Sequence, residues 1–303
     1  MAQQTLLLVD GFNLLSRGYF ATSYGKTEDQ LYRNSQGLYT GGLRVFLQKL
    51  FALINQYETT HVAIAWDVKR EETDRRQNYA FYKATRGELP EPLIEQYHSC
   101  KTTLERMGIK QIFVPQFEAD DVIGALAKKW SLETNGPCYI YSNDRDLFQL
   151  LDERTSQIIV SQKKERCYTL QHFHNDYAIE PYQWVDVKAL LGDKSDNLPG
   201  CPGVGEKSAL PLIQQYGSLE SIYESIGELD PKFNRYKNKL IDGRESATIS
   251  KDLAQIICDI PDLDRLSINQ LQWMMAENVV AAELDSLEIR INYRIPHFHS
   301  TLT

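Results

Sequence analysis

The run Leu6-Leu7-Leu8-Val9-Asp10 is a short, wholly apolar segment closed by a carboxylate. A strand buried on both faces reads this way, whereas a half-exposed strand would alternate. Three more β-rich runs follow: His61–Trp66, Lys110–Val114 and Cys138–Ser142. Helical patterns fill the intervals. Leu43, Phe46, Leu47, Leu50, Phe51 and Ile54 recur at helical spacing and predict a core-facing stripe. Glu118 to Gly136 reads as a capped helix with three carboxylates at its start. This alternation predicts an α/β fold, a parallel sheet flanked by helices. After about Pro181 short helical segments punctuated by Gly and Pro take over, which predicts a helical lobe. Residues 261–303 add a candidate strand, Leu287 to Tyr293, and a tail with His297 and His299, to which the sequence assigns no function; packing or partial disorder is the expectation.

With 303 residues, 42% of them apolar, the chain can bury one large core or two small ones. Leu6–Val9 is too short for a signal sequence, and no segment reads as membrane-spanning. Five cysteines, odd in number and without CxxC spacing, suggest neither a disulfide framework nor a zinc knuckle, so a cytoplasmic setting is expected. The net charge of −8 by itself argues against a nucleic-acid partner. That argument fails if the acids are metal ligands, and their positions point that way.

Asp10, Asp67, Asp144 and Asp146 stand at or just past the ends of predicted strands, the edge of an open parallel sheet where sites form. Glu118, Asp120 and Asp121 open a helix, and Asp193 and Asp196 open the helical lobe. Any one of these is ordinarily a cap or a surface acid. Nine facing one cleft would repel one another unless cations neutralised them, and oxygen-only ligation suits Mg²⁺ or Mn²⁺. The six histidines offer only the weak His172-x-His174 pair against this. Two such ions, roughly 3.5–4 Å apart, suit phosphodiester hydrolysis.

Two further segments would hold the strand. Gly200-Cys-Pro-Gly203-Val204-Gly205-Glu206-Lys207-Ser208 is not a Walker A loop, because Glu206 separates glycine from lysine and no strand precedes it. As a turn between short helices it would present backbone N–H groups and Lys207 to a phosphate, without reading bases. From Val68 to Arg86, Lys69, Arg70, Arg75, Arg76, Lys83 and Arg86 outnumber the acids and interleave with Tyr79, Phe81 and Tyr82. A solvated amphipathic helix is the ordinary reading. Next to Asp67, a scissile-phosphate clamp with an aromatic for base stacking gains weight.

Asp10-Gly, Asn34-Ser-Gln-Gly37, Asp67, Tyr82-Lys83-Ala-Thr-Arg86, Glu118-Ala-Asp120-Asp121, Asn143-Asp144-Arg-Asp146 and Gly192-Asp-Lys-Ser-Asp-Asn-Leu-Pro-Gly-Cys-Pro-Gly-Val-Gly-Glu-Lys-Ser208 occur in the order and spacing of the flap endonuclease family. Over roughly residues 5–265 the chain resembles the 5′ nuclease domain of bacterial DNA polymerase I as a stand-alone 5′–3′ exonuclease. The resemblance implies a PIN-like nuclease core over 1–182 with a basic arch at 68–90, a helix-three-turn-helix lobe over 183–260 and a tail over 261–303. It implies one metal site of Asp10, Asp67, Glu118, Asp120 and Asp121 and a second of Asp144, Asp146, Asp193 and Asp196. Lys83 and Arg86 resemble the catalytic basic pair of the arch, and Arg75 and Tyr82 further DNA contacts. Residues 203–208 (Gly203, Val204, Gly205, Glu206, Lys207 and Ser208) would meet duplex phosphates. The carbonyls of Leu190, Leu191, Pro199, Cys201 and Val204 would hold K⁺. Gly87 and Cys201 depart from the common pattern, in which Pro and Val are frequent. The implied protein is monomeric and acts on DNA with 5′ ends, flaps or nicks, or on RNA primers. The competing readings are a catalytically weak DNA-binding protein on this scaffold, and a ribonuclease acting on RNA–DNA hybrids.

Overall fold

Four predicted strands begin at their expected first residues, and those at Leu6, His61 and Cys138 are largely buried runs. The computed structural model describes residues 3–161 and 164–295. The elements of the first half are β1 (Leu6–Asp10), α1 (Gly11–Ser23), α2 (Gly41–Gln56), β2 (His61–Ala65), α3 (Asp74–Asn78), α4 (Glu91–Arg106), β3 (Lys110–Ile112), α5 (Ala119–Glu133) and β4 (Cys138–Tyr141). Then follow β5 (Thr155–Ser161), β6 (Lys164–Tyr168), α6 (Leu170–Tyr177), α7 (Trp184–Leu191), α8 (Glu206–Tyr216), α9 (Leu219–Glu224), α10 (Lys237–Asp242), α11 (Arg244–Ala254), α12 (Pro261–Asp264) and α13 (Glu277–Ser286).

The sheet runs β3-β2-β1-β4-β5-β6, parallel except for the β5–β6 hairpin. Successive side chains of β1 enter opposite layers: Leu7 and Val9 pack with α1, α2 and α4, while Leu6 and Leu8 pack with α5. Neighbouring β1 and β4 lead their following connections to opposite sides of the sheet, opening a crevice at their carboxyl ends. Gly11 is small for a reason at this edge, since a Cβ there would lie 2.6 Å from the Trp66 ring.

A third core, around Phe148, Phe173, Trp184, Leu190, Leu212, Ile213 and Leu240, belongs to the helical lobe. A small cluster of Tyr82, Val185, Leu198, Leu253 and Ala254 joins that lobe to the basic segment.

Three local expectations are corrected. Strands β5 and β6 escaped the apolar-run criterion; β6 alternates Lys164, Glu165 and Arg166, charges suited to a sheet edge. Leu287 to Tyr293 is not a strand: Leu287 closes α13 and Ile289 is buried without strand pairing. Residues 261–295 pack on the nuclease core, with Trp273 N–H on Thr60 O at 3.0 Å and the Tyr293 ring 5.4 Å from that of Phe51. His297 and His299 lie outside the described residues. Finally, the basic segment is not one helix. Only Asp74–Asn78 is α-helical, after a 3₁₀ turn at Arg70–Glu72, and Lys83 has φ 51°, so Lys83 and Arg86 do not share a helix face.

Candidate functional site

The sheet edge gathers the carboxylates by local hydrogen bonding. Asp10 caps α1 through Asn13 N–H at 3.0 Å and accepts Ser142 Oγ–H from β4's end, also at 3.0 Å. Asp67 accepts Ala119 N–H at 2.9 Å, which ties β2's end to the start of α5. Gln157 of β5, fully buried, donates to the carbonyls of Ser142 and Asp144 and fixes the turn carrying Asp144 and Asp146.

Electrostatics show how close this packing brings the acids. Burial, and then the charge of Asp67, pushes Asp10 up to about 7. Burial and then Asp144 do the same to Asp146, also to about 7. Asp120 is held well above the ordinary carboxylate range by burial and by Asp144, Asp10 and Asp67. Crowding by neighbouring atoms also raises Asp67, which keeps an exposed surface in the cleft and so feels a tempered effect. Desolvated carboxylates that raise one another's pKa favour a bound cation.

As they stand, no three of the acids among the described residues converge closely enough to cage an ion. Basic side chains occupy the intervening space. Lys83 Nζ lies 2.8 Å from Glu118 Oε1 and 3.9 Å from Asp196 Oδ2, and Arg86 lies 2.6 Å from Asp196 Oδ1. Burial works against the Lys83 ammonium, but Glu118, Tyr82 and Asp196 outweigh it and hold it well above its usual range. Lys188 Nζ stands 2.8 Å from Asp146 Oδ1, an ion pair off the hydrogen-bonding direction, and 2.5 Å from Asp193 Oδ2. Burial opposes ionisation of Asp193, yet Lys188 and Ser195 together pull it down to about 2.

The basic segment folds down onto both the core and the lobe. Lys83 N–H donates to Asp196 O at 3.0 Å, and Thr85 N–H and Oγ–H reach Asn197 Oδ1. Tyr82, expected to stack on a base, is 2% exposed and donates its hydroxyl to Glu118 Oε2 at 2.9 Å. Phe81, at 40% exposure, is the accessible aromatic of this stretch. Arg75, expected to meet a phosphate, turns inward onto Asp121. Asp121 is itself fully buried by its hydrogen-bond partners and does not face the cleft.

In the lobe, Leu190 and Leu191 end α7, while Pro199, Cys201 and Val204 follow in the loop; the Leu190 and Cys201 carbonyls accept Cys201 and Val204 N–H. Gly192 and Gly200, both with φ above 60°, let the two sides of this loop approach so closely that a Cβ on either would strike the other's backbone. Gly203, Gly205, Glu206 and Lys207 are exposed at the start of α8. Ser208 is not: it is 2% exposed, and its hydroxyl bonds to Gly205. Val204 is likewise buried.

Sequence reading passed over Lys188, five residues before Asp193, and Arg17. Arg17 lies one turn beyond Asn13 on α1, with a buried Nη1 that has no hydrogen-bond partner, beside Tyr141. Its helical register from Asp10 was the available signal.

Mutually repelling carboxylates at a sheet switch point, with lysines aimed among them, suit phosphodiester cleavage, and the class so defined is a nuclease. Comparison places it further. Residues 5–178 match the 5′–3′ exonuclease N-terminal resolvase-like domain, and residues 179–278 match the 5′–3′ exonuclease C-terminal SAM fold. The chain belongs to the 5′–3′ exonuclease family. It is 59% identical over 291 residues to a 5′–3′ exonuclease of Halalkalibacterium halodurans, covering 96% of each chain. It is 38% identical over 267 residues to DNA polymerase I of Streptococcus pneumoniae, covering 86% of this chain and 29% of that one. The fold is shared with T5 5′-exonuclease bound to divalent zinc (TM-score 0.66, 20% identity, 94% of this chain and 99% of that one). It is shared too with bacteriophage T5 flap endonuclease in a complex with DNA and metal ions (TM-score 0.61, 20% identity, 94% and 98%).

Proposed function

We propose that this 5′–3′ exonuclease is a structure-specific, Mg²⁺-dependent enzyme that hydrolyses DNA at 5′ ends, flaps and nicks, with activity toward RNA primers on DNA. The observation that carries this is the group of desolvated, mutually repelling carboxylates at the β1–β4 crevice. Asp10, Asp67, Glu118 and Asp120 would hold one ion, and Asp144, Asp146, Asp193 and Asp196 a second; Mn²⁺ suits the same oxygens. When bound, two such ions supply an activated water and neutralise charge on the scissile phosphate.

The chain's own residues do the rest. Lys83 and Arg86, released from Glu118 and Asp196, stabilise charge developing on the phosphate oxygens. Gly203, Gly205 and Lys207 grip the duplex backbone behind the junction. The carbonyls at the end of α7 and in the following loop would seat K⁺ there. The enzyme works as a monomer in the cytoplasm; no described helix is long and apolar enough to cross a membrane. Labelled 5′-flap, nicked, blunt and single-stranded DNA, incubated with Mg²⁺ and with EDTA, test this reading. Cleavage from the 5′ side that EDTA abolishes is expected. DNA binding without cleavage at any Mg²⁺ concentration would instead support the DNA-binding reading, and cleavage confined to RNA–DNA hybrids the ribonuclease one.

A further inference from the structure

Asp120 and Asp121 are sequence neighbours with different surroundings. Asp121 is 0% exposed, and its carboxylate meets four donors. Arg75 Nη1 lies 2.5 Å from Oδ2 and Arg75 Nη2 2.8 Å from Oδ1, a bidentate fork. Glu118 N–H reaches Oδ2 at 3.0 Å, and Ile257 N–H reaches Oδ1 at 2.8 Å. A carboxylate offers about four lone-pair sites, so these donors saturate it. An ion could bind there only by displacing one of them.

Arg75 is committed through both terminal nitrogens, and its buried Nε has no hydrogen-bond partner. Its side chain is 10% exposed; beyond Asp121 it donates to Gln255 O at 2.6 Å and stands 3.5 Å from Glu118 Oε2. The pair therefore pins together three remote stretches: the base of the arch at α3, the first turn of α5, and residues 255–257 returning from α11. The first two meet Glu118 directly. Asp121 holds its backbone N–H, while Arg75, Tyr82 and Lys83 hold its carboxylate.

We infer that Arg75 and Asp121 are a positioning pair that sets Glu118 and Lys83 over the acidic centre, and are neither a phosphate contact nor a metal ligand. The inference rests on the proposed nuclease function, but its metal arm does not need cleavage. Arg75→Met/Asp121→Leu replaces the pair with apolar groups, an exchange that buried ion pairs often tolerate. Asp121→Asn, which keeps the shape and loses the charge, serves if the double variant does not fold.

Each variant would be titrated with Mn²⁺ without DNA, assayed for flap-DNA affinity in Ca²⁺, and timed in single turnover at saturating DNA. Both should bind the wild-type number of Mn²⁺ ions and bind DNA normally, yet cut about 10–100-fold more slowly, as losses of supporting contacts do. In either background Lys83→Ala should cost far less than in the wild type, a coupling that a merely structural pair would not produce. Arg75→Lys, which keeps the charge without the fork, should recover only part of the rate. One ion fewer, or a rate restored by excess Mn²⁺, would make Asp121 a ligand and overturn the inference. Weakened DNA binding with an unchanged saturating rate would make Arg75 a phosphate contact. A wild-type enzyme that leaves flap DNA intact refutes the proposed function; a cutting wild type beside equally fast variants refutes the positioning pair alone.

Discussion

Removing divalent metal should invert the usual pH dependence of this protein's stability. Asp10 and Asp146 are raised from 3.8 to about 7 by burial and neighbouring carboxylates. Between those values the folded state keeps protons that the unfolded chain has lost. Stability therefore rises as pH falls from 7 toward 4, and Asp120 and Asp67, raised in the same direction, add to the rise. Each carboxylate contributes about 1.4 kcal/mol per pH unit inside the window. His61 acts oppositely: burial lowers it, so below its ordinary 6.5 the unfolded chain takes up a proton that the folded state refuses. From pH 7 to about 5.5, Asp10 and Asp146 gain roughly 4 kcal/mol before the coupling between acids reduces it, and His61 offsets part of that gain. In EDTA the melting temperature should climb by several degrees on this acidification. Saturating Mg²⁺ should abolish the rise by keeping the acids ionised, and Asp146→Asn should reduce it. Metal-free stability that stayed flat or fell over this range would mean that the acids are not held together as described.

Lys83→Ala should slow single-turnover flap cleavage on the order of 10²–10³-fold with little change in Kd; a normal rate with poor binding would make Lys83 a strand holder. Gly205→Glu or Lys207→Glu should weaken binding to duplex-containing substrates of every sequence, and the Lys207 change should flatten the salt dependence; unchanged duplex affinity would remove the loop as an anchor. Lys188→Met strips Asp146 and Asp193 of their shared cation and should cost the metal-free protein roughly 3 kcal/mol, measured by denaturant melts. The deficit should close with Mg²⁺, and one that Mg²⁺ left untouched would show that Lys188 does not stand in an ion's place.

The central sheet was readable because β1 and β2 are buried throughout and β4 nearly so, each a largely apolar run whose start coincides with the run's first residue, while β3, Lys110–Ile112, buries only Ile112. Their ends were read too long: Trp66, Val114 and Ser142 keep the strand pattern in sequence but lie past the last paired residue. The antiparallel β5–β6 hairpin obeys a different rule. One of its strands lies at the sheet edge, so charge replaces apolar continuity and the run criterion misses it. Leu287–Tyr293 fails in the opposite sense. Its apolar residues report burial faithfully, but burial against α-helical and aromatic neighbours leaves no strand for them to pair with.

Site residues divide along the same line. Asp10, Asp67, Asp144 and Asp146 were legible because strand ends have one location in such a fold, and local sequence alone puts them there. Residue type could not distinguish Tyr82 from Phe81, or Asp121 from Asp120. Each pair consists of adjacent residues, and what separates them is a remote partner: Glu118 lies 36 residues from Tyr82, and Arg75 lies 46 from Asp121. The same remoteness makes the net charge of −8 compatible with a polyanionic substrate. Many of the acids that produce it are folded inward at the crevice, where Lys83, Lys188 and Arg86 already answer them. Divalent ions that took over this neutralising role would free those three cations for phosphate. Tighter binding of DNA with metal than without it should therefore weaken when Arg86 or Lys188 is replaced by an uncharged residue, whereas a metal effect independent of both would place the charge that meets the phosphate elsewhere.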